Sequence, residues 1–213
     1  MVRRYAVAQA GGDNFTRLVG GREFDARVPF SVIVSVGEQC NSWMGRTFEA
    51  PAKPILLPLI DGWPQSLLPQ AQEIVARWVA KTAIIDAIGH SVRPPDRVYR
   101  EFRRTGDPPA GSRVLLGRYS SPGVNQYSRP RFVRPQSTGG APVDLEFLPF
   151  SAILGQLIVL FCLPLRGPDV RTVAEARGKL LPIWPPADAP VTWPPAGLDD
   201  QAAPDSSTWE LFS

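Results

Sequence analysis

Hydrophobic positions recur along this chain with two different periods, and the change of period separates a helical part from a strand-rich part. Val28 to Val36 (VPFSVIVSV) is rich in β-branched residues and ends at Gly37-Glu38, which predicts a strand entering a tight turn. Asn41 or Ser42 can then cap a short helix through Glu49, because their side chains accept the orphan N–H groups of a first turn, and Pro51 and Pro54 are its expected stops. The clearest helix runs from about Pro69 to Ile88. There Ile74, Val75, Trp78, Val79, Thr82, Ile85 and Ile88 cover well over half the circumference, while Glu73, Arg77 and Lys81 form one polar stripe. So wide an apolar face predicts a helix sunk in the core. A second helix is expected to start at Pro94-Pro95-Asp96 and to stop at Gly106, with the basic sequence DRVYREFRRTG.

From Arg113 the period shortens. RVLLGRYSS reads as a strand, a Gly/Pro/Ser-rich loop spans 121–142, and the apolar runs Val143 to Ile153 and Leu157 to Leu165 flank a hairpin turn at Leu154-Gly155-Gln156. Arg171 to Leu181 reads as a short helix. The expected fold class is α+β: a buried long helix and shorter helices packed on an antiparallel sheet. The expected organisation is a loosely ordered, Gly-containing segment at 1–27, a single α+β domain at 28–182 and a tail at 183–213. That tail is rich in Pro and Ala, carries Trp184, Trp193 and Trp209, and reads as extended polyproline chain held to the body by its tryptophans.

Composition limits the class. The chain has 213 residues, 44% of them hydrophobic, enough for a sizeable core. Its two cysteines, Cys40 and Cys162, make no disulfide framework, which fits a reducing, cytoplasmic compartment. The stretch MVRRYAVAQAGGDNF has no apolar run of signal-peptide length, and the run Leu148 to Leu163 is too short and broken to span a bilayer, so no membrane partner is expected. Charge is uneven: residues 1–182 hold all 23 Lys and Arg against 15 acids, whereas 183–213 hold five acids and no base. The body is basic and the tail acidic. Because Arg outnumbers Lys heavily and Ala and Pro abound, much of that Arg content reads as the coding bias of a GC-rich genome.

One set of positions has a recognisable spacing: Cys40-Asn41-Ser42-Trp43-Met44, Phe48-Glu49, Lys53-Pro54, Gln72, Ala76-Arg77-Trp78, Lys81-Thr82-Ala83, then IWPP (183–186) and TWPP (192–195). Together they resemble a group of actinobacterial HNH-endonuclease-like proteins, over roughly residues 30–213 and chiefly in the part downstream of the nuclease motif. The resemblance implies a ββα-metal unit with a histidine base, a metal-binding Asn or His and often a structural zinc held by cysteine pairs. Here Gly37 stands where the partner of Cys40 is expected, and the only histidine, His90, lies far downstream, after the long helix. The expectation is a non-catalytic relative, with its nuclease head truncated or degenerate and no cofactor. In it Cys40 is a relic or a buried thiol, and Asn41 is a helix cap in preference to a metal ligand. The alternatives are a residual nuclease completed by another chain and a protein-interaction or regulatory module. GxSxG, P-loop and GxGxxG patterns are absent from the sequence.

The remaining candidate chemistry is basic. Between Arg93 and Arg134 stand ten arginines against Asp96, Glu101 and Asp107. Arg93, Arg97, Arg100 and Arg104 fall at helical spacing, with Arg103 beside them and Arg118 beyond. Tyr99, Phe102, Tyr119, Tyr127 and Phe132 are interleaved. Guanidiniums neutralise phosphates and aromatics stack on unpaired bases, so DNA or RNA is the expected partner class, against the plainer reading of a solvated face. Lys81 reads as part of the solvent-side ladder rather than as a base or imine-forming amine, and His90 as a surface or helix-end residue. The acidic tail could shield the arginine face until a protein partner displaces it, or serve as a structural strap, the favoured reading.

Overall fold

The computed structural model describes residues 37–119, 146–166 and 180–195, together with the backbone of 15–19, 22–26 and 126–127. Strands β1 (Phe15–Val19) and β2 (Arg22–Ala26) pair as an antiparallel hairpin within the segment expected to be peripheral. The strand expected at Val28 to Val36 lies outside the described residues.

The first described helical stretch corrects two expectations. Helix α1 (Glu38–Met44), a π-helical segment (Gly45–Glu49) and α2 (Ala50–Ile60) follow one another without a break, so neither Pro51 nor Pro54 is a stop. Asn41 is no cap: its amide donates to the Gly37 carbonyl at 3.0 Å, which places it in the helix body, and Gly37 at the N-cap supplies no side chain. Pro51 stands at the start of α2, directly after the π-helical segment. Pro54 and Pro58 each remove a helical hydrogen bond at about 3 kcal/mol. Packing carries the helix through: Phe48, Ala52, Leu56 and Leu59 form one fully inward stripe at spacings of four, four and three.

Strand β3 (Gln65–Leu67) leads into α3 (Pro69–Gly89), which has the expected bounds within one residue. Val75, Ala76, Trp78, Val79, Ala80, Ala83, Ile84 and Ala87 are buried, so the broad apolar face does lie in the core. Its end is a Schellman turn in which Val92 N–H donates to Ala87 O and Ser91 N–H to Ile88 O, with Ser91 at φ 62 in the place usually held by glycine. Helix α4 (Asp96–Thr105) ends at Gly106, whose φ of 74 lets its N–H close on Phe102 O.

Strands β4 (Arg113–Arg118), β5 (Gln126–Tyr127), β6 (Glu146–Leu154), β7 (Leu157–Arg166) and β8 (Leu181–Trp184) form an antiparallel sheet in the order β5-β6-β7-β4-β8. β4 is shorter than the run read from the sequence. β5 falls inside the segment expected as loop, and the rest of that loop lies outside the described residues. The short helix expected from Arg171 lies outside them too, apart from Leu180 and Leu181, and Leu181 opens β8.

The sheet is buried on both faces, which is why β6 and β7 read as near-continuous apolar runs. Leu148, Phe150, Ala152 and Leu154 pair with Leu163, Phe161, Val159 and Leu157 and join the helix-side core. Leu115, Tyr119, Ile153, Ile158, Leu160 and Leu180 form a second cluster on the reverse face. The β6–β7 turn falls where expected, and its Gly155 is required twice over. Its φ is 55, and a Cβ there would stand 2.6 Å from the Ile60 carbonyl, to which Gln156 N–H donates at 2.8 Å.

The Trp/Pro-rich stretch expected to run as an extended tail contributes two strands. β8 pairs with β4, and β9 (Val191–Trp193) pairs with β3, with Trp193 opposite Gln65. Between them, Gln72 of α3 is fully buried. Its Nε2 donates to Leu67 O at 2.9 Å and Ala189 O at 3.2 Å, while its Oε1 accepts from Ala187 N–H at 2.9 Å. The result is an α+β fold, and no helix among the described residues is long and apolar enough to cross a membrane.

Candidate nucleic-acid interface

Helix α4 has one apolar side and one basic side because its sequence alternates them at helical spacing. Val98 and Phe102 turn inward at 4% and 7% exposure, while Arg97, Arg100, Arg103 and Arg104 are exposed. Arg93 is exposed too, but it precedes the helix, which starts at Asp96; it belongs to the connection after α3 rather than to the α4 face. The proline pair Pro94-Pro95 cannot extend a helix backwards to include it.

The arginines are not equivalent. Arg97 Nη2 donates to the Leu165 carbonyl of β7 at 2.7 Å, tying the first turn of α4 to the sheet. The Arg103 guanidinium lies 4.2 Å from the centroid of the Trp43 ring. Trp43 in turn meets Phe48 edge-on at 5.0 Å, and Phe48 stacks on Phe102 at 5.1 Å. Arg93, Arg100 and Arg104 make no ion pair among the described residues.

Neighbouring acids are turned to other work. Glu101 Oε1 accepts from Ala110 N–H at 2.9 Å, and Asp107 Oδ1 accepts from Arg77 Nε at 2.8 Å. Asp96 stands in the first turn, favourably placed against the helix dipole and at the opposite end from Arg103 and Arg104. The C-terminal half of α4 is left as a positive surface.

Arg118 does not join it. Arg97 reaches β7 at Leu165, whereas Arg118 pairs across from Leu157, and eight residues of strand at about 3.3 Å each separate those ends by roughly 26 Å. Arg118 Nε donates instead to Gln156 Oε1 at 3.1 Å, beside the docked β6–β7 turn. The interleaved aromatics are withdrawn as well: Phe102 and Tyr119 are each 7% exposed, in the two cores, and Tyr99 is half-buried. The side chain of Tyr127 and all of Arg129, Arg131, Phe132 and Arg134 lie outside the described residues.

Lys81 corrects the expected ladder. Arg77 does pair with Glu73 at 3.5 Å, but Lys81 leaves the stripe, donates to Glu49 Oε1 at 2.9 Å, and has a side chain only 12% exposed. The π-helical segment ends at Glu49, which positions that carboxylate over α3. Burial pushes the Lys81 amine below its usual range, opposed by the charge of Glu49 and the hydrogen bond to it. A lysine depressed in the folded state is deprotonated there before it is in the unfolded chain. Stability therefore rises with pH between the folded-state value and 10.5, and is flat below the folded-state value. Lys81→Met should lose about 2 kcal/mol at neutral pH, less than a fully buried pair because Glu49 keeps some water. In denaturant titrations at rising pH, the gap between wild type and variant should widen toward pH 10.5; a gap that narrows contradicts the assignment.

His90 follows α3, its Nδ1 2.9 Å from the Asp86 carbonyl and 3.4 Å from the buried Asp86 Oδ1. Cys40 is exposed on α1, contrary to its reading as a buried thiol, because it sits in the amphipathic lead-in where no described residue of α1 is buried. Cys162 is buried in β7, and burial pushes its thiol up to about 12. Among the described residues no three His, Cys, Asp or Glu side chains gather as a metal-holding group. Several contacts escaped the sequence reading, among them Gln72 with the chain at 187–189 and Glu49 with Lys81. Gln72 had one signal, a lone amide on the same face as Val75, Ala76 and Val79. No family model, curated protein or solved structure matches this chain.

Proposed function

We propose that this chain is a nucleic-acid contact module, related to the accessory part of HNH-endonuclease-like proteins, that engages phosphates through Arg100 and Arg104 of α4 and through Arg93. One observation carries the reading: the guanidiniums of Arg93, Arg100 and Arg104 stand exposed and make no ion pair among the described residues, while Glu101 accepts from Ala110, Asp107 pairs with Arg77 and Asp96 stays at the start of the helix. The pattern from Cys40 to Ala83 and the two WPP motifs support the kinship. His90, the single imidazole, is engaged at the end of α3, which fits holding nucleic acid in preference to cutting it.

The structure tells which arginines to remove. Arg97 supports the sheet and Arg103 covers Trp43, so the informative variant is Arg93→Ala/Arg100→Ala/Arg104→Ala. Fluorescence anisotropy with a labelled single-stranded oligonucleotide should show wild-type binding that weakens steeply with salt. The triple variant should bind at least about tenfold more weakly at low salt and have a log–log salt slope shallower by about 2, three phosphate contacts at ~0.7 each. Its thermal midpoint should match wild type. A triple variant that binds like wild type removes the basis of the proposal.

A further inference from the structure

Resting on that nucleic-acid reading, we infer that the α4 face recognises a run of closely spaced phosphates and nothing of the bases, so that its ligand class is the polyphosphate backbone itself. Reading a base requires either hydrogen-bonding side chains free to meet its edge or an aromatic ring free to stack on its face. The uncharged and acidic side chains of α4 that could read an edge are used locally or withdrawn: the Tyr99 hydroxyl is buried without a partner and its ring is half-buried. Thr105 Oγ1 donates to Glu101 O at 3.1 Å and accepts from Asp107 N–H at 3.0 Å, and Glu101 is held by Ala110. Each nearby ring is covered: Phe102 is in the core against Phe48, and Trp43 lies beneath Arg103.

A guanidinium can itself read guanine, but it does so from a helix that enters the major groove. Here the first turn of α4 is fastened to the sheet by Arg97 at Leu165, and Val98 and Phe102 hold one side of the helix in the core. Arg100 and Arg104 lie one turn apart, about 6 Å along the axis, Arg100 at mid-helix and Arg104 in the last turn. Such a surface meets a phosphate chain side-on. It discriminates by charge density, and a chain that carries phosphates without bases satisfies it.

The test is displacement of labelled oligo(dT) from the full chain by equal phosphate concentrations of unlabelled oligo(dT), oligo(dA), oligo(dC) and long-chain inorganic polyphosphate. The expected result is displacement by all four within about threefold of one another, below the roughly fivefold minimum that one good base contact confers. The Arg93→Ala/Arg100→Ala/Arg104→Ala variant should lose affinity for all of them together. A fivefold or larger preference for one base, or oligonucleotide binding that polyphosphate fails to displace, overturns this inference and leaves the nucleic-acid reading standing. Absence of binding to every polymer, or wild-type binding by the triple variant, overturns both.

Discussion

Trp193→Ala is expected to lower the unfolding free energy by about 4 kcal/mol, within the range for emptying a fully enclosed indole site. Trp193 has no exposed surface and lies in the same core cluster as Leu67, Val75 and Ile183. It is also the residue through which β9 pairs with Gln65, so a collapsing cavity would draw β3 and β9 out of register. The indole Nε1 has no hydrogen-bond partner among the described residues. Trp193→Phe therefore gives up part of the volume while also removing an unpaired donor, and should cost only about 1–2 kcal/mol. Guanidinium denaturation of the two variants measures both figures. Equal losses for Ala and Phe would show that the polar edge of the ring, rather than its volume, matters there.

Gln72→Leu should cost about 3 kcal/mol although leucine fills a similar volume. The substitution leaves the carbonyls of Leu67 and Ala189 and the amide of Ala187 without their side-chain partner. Water can reach the last two, on the rim, but Leu67 is 1% exposed, so most of the penalty falls at that carbonyl, at ~1–3 kcal/mol for an orphaned buried group. The remainder comes from releasing residues 187–190 from α3. Limited proteolysis should accordingly cut Gln72→Leu within that stretch well before wild type. A variant with wild-type melting and wild-type resistance would mean that the β8 and β9 ladders hold the segment unaided.

The elements that announced themselves in the sequence were those whose burial is local. Helix α3 and the β6–β7 hairpin carry their own period and their own punctuation at Pro69 and Gly155, and were legible to within one residue and three residues respectively. The helical stretch from Glu38 to Ile60 was not, because proline propensity argues for a stop after Glu49 and only the stripe of Phe48, Ala52, Leu56 and Leu59 argues against it. That stripe gains its value from contact with α3, which no local window contains. For β8 and β9 the same holds more strongly: four and three residues among prolines have no periodic signal, and their partners β4 and β3 lie far back in the chain.

The arginine surface was legible in composition and spacing but not in its membership. Spacing alone placed Arg93 on the helix and made Arg97, Arg103 and Arg118 equal to the rest. Their separation depends on a carbonyl of β7, a ring of α1 and an amide at the β6–β7 turn. Lys81 was misplaced for a related reason: a four-residue repeat with Glu73 and Arg77 is a correct description of α3 in isolation, and Glu49 reaches Lys81 only because the π-helical segment brings it there.

The partnership of β4 with β8 has a consequence for synthesis. During translation the outer edge of β4, complete at Arg118, has no ladder to close it until Trp184 has been added. At ~5–20 residues per second that interval lasts about 3–13 s. Throughout it an apolar strand edge is open to pairing with another nascent chain, so polysomes crowded with this message are where off-pathway association should begin.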